Sequence, residues 1–67
     1  MTIQTRLGKN LKRIRNGSGL SQEQLSFDAD VHRSYVSDIE RGVRNPTIQI
    51  VYQFAQALHV TMGELLD

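Results

Sequence analysis

Two runs with helical spacing, one opening at Ser21 and the other extending from about Arg33 to Arg41, are separated only by Asp30, Val31 and His32. A break that short leaves no room for a loop that would lay the two segments side by side, so they must cross at a steep angle. The first run opens on "SQEQ", residues 21 to 24. This reads as a capping box, with the Ser21 hydroxyl accepting from a free backbone N–H while Gln24 reaches back to the Ser21 amide. The run ends at Asp30, where the sharp turn needs a residue that tolerates the left-handed region. Gly42 closes the second run. Counting from Gln22 as first position, Leu25, Ala29, Val31, Val36 and Ile39 are the apolar positions that hold the two segments together.

The rest of the chain is helical by the same reading. Ile3, Leu7, Leu11 and Ile14 draw one apolar stripe on a helix from about residue 3 to 18. "GSG" at 17 to 19 ends it, with Gly17 expected to fray the last turn and Gly19 expected to be left-handed. After the loop "VRNP", Thr47 caps a fourth helix over about 48 to 58, with Phe54, Leu58, Val51, Ala55, Ile48 and Tyr52 on a broad apolar arc and Ile50 outside it. "TMGE" at 61 to 64 is a second capping box, opening a short fifth helix that contains Leu65 and Leu66. No strand-like alternation, repeat or linker appears. The expected fold is all-α: five short helices in one domain over residues 1–67, with a helix-turn-helix at about 21–42.

Size and composition exclude several function classes. A chain of 67 residues has an expected radius of gyration of ~11 Å and no room for a large catalytic cavity. Cysteine is absent, and His32 and His59 are isolated, so no disulfide, metal site or cofactor is expected. The Ser, His and Asp residues are scattered, and neither enzymatic activity nor a small-molecule ligand is expected. A core this small usually needs support, and association with a second copy is the support still open. With no signal-peptide pattern and no long apolar run, the chain is expected in the cytoplasm and away from membranes.

Charge placement is more informative than net charge. Of the eight Lys and Arg residues, five (Arg6, Lys9, Lys12, Arg13 and Arg15) precede residue 20, where there is no acid. On the third helix Val36 and Ile39 define the inward direction, so Ser34, Ser37, Asp38 and Arg41 point outward, with Arg33 and Tyr35 at the edge near its N-terminus.

"GLSQEQL", "SYVSDIERG" and "RNPT" resemble the lambda-repressor-like helix-turn-helix regulators of the Xre family, and "HRSYVSDIERGVRN" is particularly similar to the controller proteins of restriction-modification systems. The resemblance runs from about Leu7 to Leu66. It departs from the usual pattern at Asp30 and His59, where the family commonly has glycine. It implies a five-helix domain that binds an operator in double-stranded DNA.

A major groove about 12 Å wide admits one α-helix, and the third helix is the one whose outer residues can meet base edges. Arg33 is the first candidate, because a guanidinium can donate twice to guanine O6 and N7, and the same position contacts bases in similar proteins. Ser34, Ser37 and Tyr35 are the remaining base-contact candidates. Gln22, beside the free N–H groups opening the second helix, is a phosphate contact in similar proteins. Arg41, Arg44, Asn45 and Thr47 are further phosphate or groove candidates. Asp38 faces a polyanion unfavourably unless it accepts from cytosine N4, and pairing with Arg41 is the reading adopted.

The resemblance also implies that Arg15 and Glu40 form a structural ion pair tying the first helix to the third. It further implies a twofold dimer built from the C-terminal region, about 48–67, with Ile50, Val60, Met62, Leu65 and Leu66 as interface candidates, reading a pseudo-palindrome. RNA polymerase enters as the partner that such a regulator blocks or recruits. The competing reading is an antitoxin-like or phage-type repressor whose main partner is another protein.

Overall fold

Five α-helices make up the computed structural model, which describes residues 2–67: α1 (Ile3–Gly17), α2 (Gln22–Ala29), α3 (Arg33–Glu40), α4 (Ile48–Leu58) and α5 (Met62–Leu66). Each begins where the sequence supplies an acceptor for the otherwise unpaired first-turn N–H groups. The side chains of Thr2, Ser21, His32, Thr47 and Thr61 accept from the amides of Thr5, Gln24, Ser34, Ile50 and Glu64 respectively. Gln24 completes the box at α2 by accepting from the Ser21 N–H at 2.8 Å. At α5 only the Thr61 hydroxyl half of the expected box is made among the described residues.

The helices stop for equally local reasons. Gly19 and Gly42 adopt φ of 75°, and Asp30 and His59 adopt φ of 58°. These left-handed residues turn the chain sharply enough for α2 and α3 to follow one another after Asp30, Val31 and His32. Gly17 does not fray α1: the Ser18 N–H and Oγ–H both donate to the Ile14 carbonyl, at 3.0 and 2.9 Å, and hold the last turn.

Leu7 and Leu11 of α1, Leu25 and Ala29 of α2, Val36 and Ile39 of α3, Val51, Phe54, Ala55 and Leu58 of α4, and Leu65 of α5 form a single core. Full burial of a Leu or Phe side chain contributes about 1.5–3 kcal/mol, so this shared cluster holds every helix in place. α1 lies against α3 and α5, while α2 lies against α3 and α4. The radius of gyration is 10.2 Å.

Gly8 sets how closely α1 approaches α3. A Cβ there would collide with the Ile39 carbonyl oxygen and sit 2.9 Å from that of Glu40. The end of α3 is thereby seated directly on the α1 backbone. The apolar stripe gave no sign of this contact, because a glycine on a helix face reads as a gap.

Four apolar residues differ from their expected positions, among them Tyr52 of the α4 arc, which is 46% exposed. Ile3 is 52% exposed and Ile48 76% exposed. Both lie in the first turn of a helix, where the stripe continues past the edge of the core and no neighbouring element covers it. Ile50, expected outside the apolar arc of α4, is half-buried against the core.

Candidate nucleic-acid interface

The outward side of α3 is presented by a scaffold pinned at several points. Arg15 Nε donates to Glu40 Oε2 at 2.6 Å and its NH2 donates to Oε1 at 3.1 Å, while NH1 donates to the Leu20 carbonyl at 2.8 Å. Glu40 Oε1 also accepts from Gln22 Nε2 at 3.0 Å, so one carboxylate, its side chain only 3% exposed, joins α1, α2 and α3. The hydrogen bond to Glu40 raises the Arg15 pKa; burial opposes that shift and the carboxylate charge reinforces it. Removing one partner from a pair this enclosed costs roughly 3–5 kcal/mol, because the other charge is left without compensation.

Two further bonds hold the helix ends. Gln53 Nε2, from α4, donates to the Ala29 carbonyl at 2.7 Å and satisfies an end of α2. Asn10 Nδ2, from α1, donates to the Leu65 carbonyl at 2.9 Å and fixes α5.

On this scaffold Gln22, His32, Arg33, Ser34, Ser37, Asp38 and Arg41 line one open groove along α2 and α3. Arg33 and Ser34 are exposed, Tyr35 and Ser37 half-buried. Among the described residues the Arg33 guanidinium has no hydrogen-bond or ion-pair partner, so its donor fork is free. The Ser34 hydroxyl lies 2.9 Å from His32 Nδ1, which also accepts from the Ser34 N–H at 3.2 Å. That bond requires the tautomer with the proton on Nε2. His32 was not singled out from the sequence as a cap, since Ser, Thr, Asp or Asn is the usual signal there.

Asp38 does more than pair with Arg41. Arg41 NH2 donates to its Oδ1 at 2.7 Å, and Arg44 Nε and NH2 both donate to its Oδ2 at 3.3 Å. The Arg44 guanidinium carbon stands 4.5 Å from the centroid of the Tyr35 ring. Helical spacing could suggest the first pair but not the others, because Arg44 lies beyond the Gly42 turn. The Arg41 hydrogen bond is the largest influence holding the Asp38 carboxyl below its ordinary value; burial opposes it, and the Arg44 bond and both guanidinium charges add to it. Asn45 and Thr47 are exposed at the α3–α4 connection, and the Thr47 hydroxyl accepts from the Ile50 N–H while its own proton remains free to donate.

The expected interface residues divide. Ile50, Val60, Met62 and Leu66 are half-buried and pack partly on their own core. Leu65 is 0% exposed and cannot reach a partner, so it is corrected to a core residue. Its inward position follows from α5 lying across α1 and α4. Exposed Ile3 and Ile48 instead line a shallow apolar depression with Leu7, Pro46, Val51 and Leu66. A separate apolar feature is Phe27, 86% exposed on α2. Among the described residues no group of three His, Cys, Asp or Glu side chains is placed to hold a metal, and no helix is long and apolar enough to cross a membrane.

Comparison with known proteins yields one family, helix-turn-helix, matching residues 11–65. The control protein C.BamHI of Bacillus amyloliquefaciens is 44% identical over 70 residues, covering 100% of this chain and 86% of its own. The control protein C.SmaI of Serratia marcescens is 38% identical over 66 residues, covering 98% and 79%. Among solved structures, the restriction-modification controller protein C.AhdI of Aeromonas hydrophila superposes with a TM-score of 0.90 at 39% identity, covering 92% of this chain and 94% of that one.

Proposed function

The chain belongs to the helix-turn-helix family, and from that premise we propose that it is a sequence-specific, double-stranded-DNA-binding regulator of transcription. It acts as a homodimer on a pseudo-palindromic operator, as a controller of a restriction-modification operon and of its own gene. The observation that carries this reading is the unpartnered Arg33 fork on the open face of a helix whose opposite side is locked by Arg15, Glu40 and Gln22. Relatives that bear the control-protein name, matched over 86% and 79% of their own length, support the choice of regulated genes.

In this reading α3 enters the major groove. Arg33 donates twice to a guanine edge, Ser34 and Ser37 donate or accept at short range, and Tyr35 offers its ring to a thymine methyl. Phosphates are gripped by the N-terminal amides of α2 with Gln22, and by Asn45 and Thr47 on the far side, while Arg41 and Arg44 stand at the groove edge. The apolar depression around Ile48 and Leu66 receives the second protomer, placing two α3 helices about one DNA turn apart. RNA polymerase is the partner that the bound dimer excludes or recruits, and the exposed Phe27, beside Glu23 and Asp30, is the surface available for recruitment.

The deciding experiment is a footprint over the DNA upstream of the protein's own gene, repeated with RNA polymerase present. A protected pseudo-palindrome is expected, with an affinity that falls with salt at a log–log slope of roughly −5 to −9 for about 6 to 10 neutralised phosphates. A flat salt response, or protection without sequence preference, overturns the reading. Identical polymerase occupancy with and without the regulator removes polymerase from the partners.

A further inference from the structure

A carboxylate in the middle of a surface that meets DNA is repelled by phosphates, yet Asp38 sits there with its side chain 24% exposed. It is already engaged: Arg41 holds one oxygen, and both the Nε and NH2 of Arg44 hold the other. Three of the roughly four acceptor positions of a carboxylate are thereby taken, leaving little with which to read a cytosine amino group. Arg44 belongs to the connection after Gly42, outside any helix, and its guanidinium rests on the Tyr35 ring. Its direction is therefore set from α3, through Asp38 on one side and Tyr35 on the other.

We infer that Asp38 is a positioning residue that makes DNA binding selective, clasping Arg44 against Tyr35 and restraining Arg41 so that neither guanidinium is free to grip phosphate indiscriminately. The inference rests on the DNA-binding reading above. On a matching operator the clasp stays closed and delivers Arg44 to the groove edge in one orientation, with no ordering left to complete. On any other duplex the same two arginines must leave Asp38 before they reach a phosphate, and the loss of that ion pairing weakens the complex. Selectivity arises here because the wrong complex is penalised as well as the right one favoured.

The test compares affinities of the full chain for its footprinted operator and for a scrambled duplex of equal length, across a salt series. In Asp38→Asn the scrambled duplex is expected to bind more tightly, with its salt slope steeper by about 1 as a freed arginine takes up another phosphate. Operator affinity holds or falls, and the specificity ratio drops about tenfold, the scale of one mismatched base pair. In the Arg44→Ala background the same change should lower the ratio clearly less than it does in the parent, because a clasp already lacking one of its two arginines shows that non-additivity. Asp28→Asn, an equal change of charge on α2, should shift both affinities together. Thermal unfolding of Asp38→Asn is expected to remain a single cooperative transition with a midpoint only slightly below the parent's, since the ion pairs lost lie on the outer face.

The inference is overturned if Asp38→Asn moves operator and scrambled affinities by one common factor, if its effect persists undiminished without Arg44, or if Asp28→Asn lowers the ratio equally. Should Asp38→Asn unfold, Arg44→Lys, which keeps the charge but not the fork, must lower the ratio or the clasp is refuted. A parent protein with no preference for its operator refutes the DNA-binding reading itself, a result distinct from all of these.

Discussion

Arg33 and Asp38 occupy the same exposed face with opposite electrostatic prospects. Arg33 has a free fork, and Arg33→Ala is expected to weaken operator binding by roughly 1 to 3 kcal/mol and relax preference at one base pair in each half-site. Selection of binding sites from a random pool checks this, and an unchanged motif removes Arg33 from the base readers. For Asp38 the folded-state pKa is lowered from 3.8, with the Arg41 hydrogen bond as first cause. A depressed carboxyl contributes stability that is complete above the ordinary value and is lost as pH falls below it through the lowered one. An NMR titration should therefore find Asp38 moving back up toward 3.8 in Arg41→Ala; no movement refutes the assigned cause. The sequence indicated which residues face outward, because position on a helix is periodic. It could not indicate the Arg44–Tyr35 stack, which depends on how the chain turns after Gly42.

Element boundaries were legible to within a residue or two because most rest on local chemistry: a hydroxyl before every helix but α3, which His32 caps, and a glycine, aspartate or histidine after four of them. What the stripes could not convey was where the core ends. Ile3 and Ile48 continue the apolar pattern of α1 and α4 into solvent, since periodicity records which side of a helix a residue lies on and not whether anything stands opposite. Gly8 is the reverse case, a position silent in the pattern yet in closest contact with α3. Gly8→Ala is expected to lower stability by about 1 to 3 kcal/mol or more, since the obstructing atoms are backbone. Chemical denaturation checks this, and a neutral result indicates that α1 can withdraw from α3.

At the scale of the whole molecule, the proposed dimer uses the two exposed isoleucines that the protomer leaves uncovered. Ile48→Asp is expected to raise the dimer dissociation constant at least about tenfold, because an unpaired carboxylate enclosed in an apolar contact costs several kcal/mol. Sedimentation equilibrium checks this, and an unaltered dimer assigns the contact to another surface. Of the residues expected at the dimer contact, Ile50, Val60, Met62 and Leu66 are half-buried on their own core, and Leu65 belongs to the core itself. That distinction depends on which way a five-residue helix rolls, and so short a segment offers too few positions to define a direction.

Glu40 receives Arg15 from α1 and Gln22 from α2 while belonging to α3. In the proposed complex, the amide that meets a phosphate and the helix that meets the bases therefore share one buried acceptor, and the span between them is fixed before any duplex arrives. The domain then works as a caliper: a groove too narrow or too wide is turned away on its dimensions before its letters are read.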